Sequence, residues 1–162
     1  MPAALAFCKW LEQTPIATSV RQSLWLFPAL ESVHLLGMAA LLATIGTFDL
    51  RLMGVILRGE RLCGLARRLL PWAWAAFALQ VVTGALLFSS EAAHMYANPA
   101  FRVKMVLILL AGAHAIVFRI VSRRNLRWDD PIGSPLAPKI AGGVSLLLWI
   151  GVVVAGRWIG FI

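Results

Sequence analysis

The chain has 162 residues, 60% of them hydrophobic and 14% charged, with a formal net charge of +8. That balance excludes an ordinary soluble domain, where roughly 45–50% of residues are apolar and about 25% charged. It also excludes a nucleic-acid binder, because the basic residues fall in blocks between apolar runs, as membrane insertion requires.

The length suits one domain. Residues 1–22 carry Lys9, Glu12, Gln13, Arg21 and Gln22, without the apolar core and small-residue cleavage site of a secretory signal. Leu5, Phe7, Trp10, Leu11 and Ile16 predict an amphipathic segment lying on the membrane surface, broken at Pro15. Residues 23–162 then form the membrane domain, an all-α, up-down bundle of four transmembrane helices near 23–48, 71–90, 103–121 and 139–160. Trp25 and Phe27 flank the first span, and Trp72 and Trp74 open the second, with Pro71 expected in its first turn. Asp49 and Arg51, just beyond the first span, read as a local pair or cap. Ala111 with Ala115, Gly156 with Gly160, and the group Gly142, Gly143 and Ser145 are small residues that let helices approach closely. The segment 122–138, with "WDDPIGSPLAP" and the paired Asp129 and Asp130, reads as an ordered loop without chemistry of its own.

Orientation follows from the basic residues. Arg51, Arg58, Arg61, Arg67, Arg68, Arg119, Arg123, Arg124, Arg127 and Lys139 make ten on one side; Lys9, Arg21, Arg102, Lys104 and Arg157 make five on the other. The richer side is expected to be cytoplasmic, so both termini face the periplasm from a bacterial inner membrane. Cys8 and Cys63 then fall on opposite sides and do not pair, and the absence of a CxxCH motif excludes covalent c-type haem.

Titratable groups at membrane depth are functional candidates. In "PALESVHLLGMAALLATIG", Glu31 and His34 lie one turn apart, and they are expected to form a buried hydrogen-bonded pair. His114, counted from Arg102, is expected at the depth of His34 on a diagonal helix. Two such histidines suit axial ligation of a b-type haem, with Arg102, Lys104 and Arg157 as cations for its propionates and Glu31 as a hydrogen-bond acceptor. Plain structural hydrogen bonding of the histidines is the competing reading, with metal or proton chemistry beside it. Glu91, His94 and Met95 offer an outward-facing copper or divalent-metal site; against it stands a solvated loop with Glu91 paired to Lys104 or Arg102. The missing further glutamates, and the different depths of the Glu31–His34 and Glu91–His94 pairs, argue against a buried di-iron site. Gln80, Gly84, Leu87 and Glu91 at helical spacing, with Thr83 beside them, make a mildly polar face on span two that can look toward Glu31 and His34, either as glue between helices or as a proton or ion path. The motifs of soluble enzymes, GxGxxG, Walker, GxSxG and HExxH, do not occur.

"WLEQTPIATSVRQSLWLFPALESVHLLGMAALLATIGTFDLRLMG", "LLPWAWAAFALQVVTGALLFSSEA", "NPAFRVKMVLILLAGAHAIVF" and "VAGRWIGF" together resemble a bacterial family of small four-span membrane proteins known as a domain of unknown function. The resemblance runs along nearly the whole chain and implies location and size, with no established activity. The early histidine, the small-residue stretch after it and the "LR" exit also resemble, distantly, copper-resistance D type proteins and four-helix haem-binding oxidases of the protoporphyrinogen-oxidase type. Three functions stay open: a haem b electron-transfer subunit serving a periplasmic or membrane redox partner or a quinone; a copper-handling protein; and a cofactor-free scaffold within a larger complex. The lipid bilayer is the common partner, and a second copy of the chain is a further candidate. Whether the chain is an enzyme stays open as well.

Overall fold

A computed structural model describes residues 2–124 and 136–161. Seven α-helices follow one another, with no strand among the described residues: α1 (Pro2–Glu12), α2 (Pro15–Gln22), α3 (Leu26–Leu52), α4 (Leu62–Ser90), α5 (Ala92–Ala97), α6 (Pro99–Arg124) and α7 (Leu136–Trp158), the last closed by a 3-10 turn (Ile159–Phe161). Four of them, α3, α4, α6 and α7, are long and apolar enough to cross a membrane. Leu36, Leu109 and Leu147 on their outer faces are 70–71% exposed. An apolar exterior of that kind is stable only in lipid, and the chain is an integral membrane protein.

Local chemistry sets the helix starts. The Thr14 side chain accepts from the Ala17 N–H and Pro15 follows at the first helical position, so the break at Pro15 becomes the start of α2. Ser23 Oγ accepts from the Leu26 N–H at 3.1 Å, at the first turn of α3. Asn98 Oδ1 accepts from the Ala100 N–H at 2.9 Å and the Phe101 N–H at 3.3 Å, capping α6 ahead of its own Pro99. The Asn98 amide donates to the Ile159 carbonyl at 3.0 Å, tying the start of α6 to the end of α7.

Helix ends depart from the hydropathy. α4 begins at Leu62, so Pro71 lies inside the helix and not in its first turn. The segment from Leu62 to Leu70 favours helix and buries Leu62 and Leu65, so the helix continues past the point where charge stops the apolar run. α3 likewise runs four residues beyond 48, to Leu52. The "WDDPIGSPLAP" reading, with Asp129 and Asp130, falls largely outside the described residues.

α3 packs against α4 and α7, and α7 against α6; α4 and α6 form no comparable pair among the described residues. They meet at one end, where Phe88 and Phe101 stack at 5.3 Å. α3 and α6 therefore stand diagonally, and their register is legible from one ring contact and one longer-range electrostatic interaction. Phe48 meets Phe118 edge-on at 6.1 Å. His34 lies within direct electrostatic reach of Lys104. Both pairs differ by 70 in residue number, so one register runs the length of the diagonal.

α1 and α2 pack across the end of the bundle formed by α4 and α5. Cys8, Ala17 and Val20 are buried there, while Phe7 and Trp10 stay exposed and pair at 5.6 Å. Glu12 Oε1 accepts from the Ala93 N–H at 2.8 Å, joining α1 to the first turn of α5. Cys63 lies at the opposite end of the bundle from Cys8, and no disulfide joins them.

Candidate functional site

His34 sits on the ninth residue of α3, half-buried against α4. Its Nδ1 lies 2.7 Å from Thr83 Oγ1. The single hydroxyl proton of Thr83 is already donated to the Leu79 carbonyl at 2.7 Å. With that proton on Leu79, Thr83 accepts, and we assign the proton between them to Nδ1 of His34. In the neutral ring Nε2 then carries a lone pair, which has no partner among the described residues.

Gln80, one turn from Thr83, donates from Nε2 to the His34 carbonyl at 2.5 Å. Its Oε1 is buried without a partner among the described residues. Room for this amide comes from Gly37: a Cβ there would fall 2.7 Å from Gln80 Nε2 and 3.0 Å from Leu79 Cδ2. The polar face of Gln80, Thr83 and Gly84 thus does turn toward His34, as hydrogen-bonding glue between α3 and α4.

Two further glycines shape the same layer. A Cβ on Gly84 would lie 3.3 Å from His34 Cε1, so the imidazole rests on α4 where a side chain is missing. A Cβ on Gly156 would lie 3.4 Å from Lys104 Nζ, so the lysine runs across α7 at an equivalent gap. Lys104 is half-buried, and its ammonium has no hydrogen-bond or ion-pair partner among the described residues. The layer therefore takes His34 from α3, Gln80 and Thr83 from α4, and Lys104 from α6, with glycines of α4 and α7 beneath them. Gly156 reads in the sequence as a packing residue and Gly84 as part of the polar face of span two; the polar side chains that they accommodate become visible only with the register.

The other expected residues fall elsewhere. Glu31 is exposed, and the expected pair with His34 is not formed; Thr83 of the neighbouring helix takes its place. The diagonal register sets His114 level with Thr44, ten residues and about 15 Å along α6 from the level of His34. Counting depth from Arg102 hid this offset, because the charged edge of a span is not its packing register. Arg102 donates to the Tyr96 carbonyl at 3.1 Å and lies 5.4 Å over the Tyr96 ring. Arg157 lies 4.9 Å over Phe161. Glu91 closes α4 with its backbone N–H on Phe88, and its carboxylate pairs with neither Arg102 nor Lys104. His94 is exposed on α5 and Met95 is half-buried. No group of three His, Cys, Asp or Glu side chains that could hold a metal ion exists among the described residues.

At the opposite end, Asp49 and Arg51 do not form the expected pair. Asp49 faces Ser145 of α7, and its Oδ2 is buried without a partner among the described residues. Arg51, 1% exposed, donates from Nε at 2.9 Å and Nη2 at 2.6 Å to the Glu60 carbonyl. Spacing of two residues on a helix turns side chains to different faces, so one reaches α7 and the other closes the α3–α4 loop. Gly142 lets α7 reach this point, since a Cβ there would lie 2.7 Å from the Asp49 carbonyl oxygen.

No curated protein and no solved structure matches the chain. The family match covers residues 23–162, which hold all four long helices and the whole polar layer, and leaves α1 and α2 outside. The chain belongs to this family, DUF6644, a family of unknown function.

Proposed function

We propose that this chain is a cofactor-binding subunit of the membrane, in which His34 ligates the iron of a b-type haem. The observation that carries the reading is the hydrogen bonding of the ring. Nδ1–H is held by Thr83, whose own proton is committed to Leu79, and Nε2 keeps its lone pair. Metal-ligating histidines are oriented in this way, with the second ring nitrogen donating to a fixed acceptor. A neutral imidazole suits haem iron, and the half-burial of His34 and Lys104 beside the unpacked α4–α6 side leaves the layer within reach of the bilayer. His114 does not complete the ligand set, because it stands about 15 Å from that level.

A haem held there supplies one-electron transfer. The residues of the chain do the rest: Thr83 fixes the imidazole tautomer, Gly84 leaves it room, and Arg102 and Arg157 stand at the near end as cations for propionates. The distribution of basic residues supports a bacterial inner-membrane location with this end of the bundle on the periplasmic side. A haem bound there would exchange electrons with a periplasmic or membrane partner, or with a quinone. The absorption spectrum of the purified protein, oxidised and then reduced, tests the reading. A Soret band that responds to reduction is expected. A colourless, folded protein that stays colourless on haem titration refutes it, and co-purification of such a protein with another subunit favours a scaffold.

A further inference from the structure

We infer that Asp49 is a proton-binding site: its carboxyl carries a proton while α3 and α7 are packed together, and releases it to water when α7 moves off α3. The inference is independent of the haem reading. Asp49 is 3% exposed, and its Oδ2 is buried without a hydrogen-bond partner among the described residues. It lies in the last turn of α3, at the negative end of the helix dipole, where a carboxylate is disfavoured. The nearest cation along the helix, Arg51, is committed through Nε and Nη2 to the Glu60 carbonyl. Arg67 and Arg68 of α4, Arg119 of α6, Lys139 of α7 and the Glu60 carboxylate are exposed, and none bonds to Oδ2. From α7 the carboxyl meets Ser145, a neutral hydroxyl.

An ionised carboxylate in that setting has neither water nor a counter-charge, and such burial is costly. A metal cation or a proton can remove the charge. A hard metal cation needs several oxygens around it. The carbonyls that end α3 are already engaged: that of Asp49 accepts from the Met53 N–H, that of Leu50 from Val55 and that of Arg51 from Gly54. The helices also close tightly here, since a Cβ on Gly142 would fall 2.7 Å from the Asp49 carbonyl oxygen and 3.0 Å from Leu52 Cβ. A proton needs no such space and no ligand set. The step is a plain exchange: carboxylate and a proton from water give the acid, and parting of α3 from α7 returns the proton to water. Proton binding and closure of the α3–α7 contact are therefore linked.

The chain has three aspartates, Asp49, Asp129 and Asp130, so Asp129→Asn with Asp130→Asn leaves Asp49 alone. Infrared spectra of that double variant, labelled with carbon-13 in the aspartate carboxyl, are expected to show the labelled C=O band of a protonated acid at neutral pH. A free aspartate, with a pKa of about 3.9, is ionised there. Asp49→Asn keeps the size and neutrality of the acid, and is expected to fold and to lack the band. Folding constants in mixed micelles give the second readout. From about pH 4 upward the unfolded chain loses the Asp49 proton and the folded chain keeps it, so stability falls as pH rises. The wild-type constant is expected to drop about tenfold per pH unit relative to Asp49→Asn, until Asp49 ionises within the fold. A labelled carboxylate band with no acid band at neutral pH overturns the inference, and that result does not depend on the folding of Asp49→Asn. Parallel pH dependence of wild type and Asp49→Asn overturns it too. A shift of the wild-type constant when sodium replaces potassium at fixed pH, absent from Asp49→Asn, assigns the carboxyl to a metal cation and also overturns it.

Discussion

Gly142→Ala tests the packing that brings α7 against α3. A Cβ on Gly142 falls 2.7 Å from the Asp49 carbonyl oxygen, 3.0 Å from Leu52 Cβ and 3.2 Å from Met53 Cγ. Ordinary contact begins near 3.4 Å, so the first overlap is about 0.7 Å. The first obstacle is backbone and the second a Cβ, and neither turns aside by a rotamer change. The helices must part, and overpacking of this kind costs about 1–3 kcal/mol. Gly143→Ala is the control, because a Cβ there has nothing within 4 Å. Both substitutions gain the same helix propensity, about 1 kcal/mol, so their difference isolates the steric part. Unfolding in mixed micelles with increasing SDS, followed by tryptophan fluorescence, is expected to place Gly142→Ala about 1–3 kcal/mol below Gly143→Ala. Equal midpoints for the two variants would show that α3 and α7 do not meet at Gly142.

Three further perturbations have defined outcomes. Thr83→Val removes the acceptor of His34 Nδ1–H and is expected to cost roughly 0.6–2 kcal/mol, as interhelical hydrogen bonds in membranes do, while the nitrogen-15 spectrum of the His34 ring changes from one tautomer to a mixture; an unchanged ring spectrum contradicts the assigned proton. Gly37→Ala displaces the Gln80 amide, the flexible end of a side chain, so it is expected to destabilise by less than Gly142→Ala. Combining it with Gln80→Ala should be clearly less than additive, and additivity within about 0.3–0.5 kcal/mol means that the two do not touch. Arg51→Lys loses the planar fork that holds the Glu60 carbonyl, so trypsin is expected to cut faster in the α3–α4 loop at Arg58 or Arg61; an unchanged cleavage rate contradicts the role given to Arg51.

The four spans were legible because uninterrupted apolar runs of this length have few alternatives in a folded protein. Their ends were less so. Hydropathy marks where the bilayer stops, while α4 starts nine residues before Pro71 because its first turns favour helix and bury Leu62 and Leu65. At the site, the polar character of Gln80, Thr83 and Gly84 and the importance of His34 could be read from residue types at helical spacing. The partner of His34 could not. Spacing along one helix favoured Glu31, yet the hydrogen bond goes to Thr83, 49 positions away, through a register that no local pattern encodes. The same lack of register set His114 at the wrong level and left Lys104 as an edge cation. Glycines opposite polar residues were the available signal, since Gly84 and Gly156 each mark a place where a polar side chain crosses a neighbouring helix.

His34 is proposed to present a metal-ligating nitrogen to a haem within the bundle. Haem content per chain, measured as the pyridine haemochrome of purified wild type and of His34→Ala, tests it most directly. One b-type haem per chain in the wild type and none in a folded His34→Ala protein is the expected result. Equal haem content in the two proteins, or none in the wild type, contradicts it.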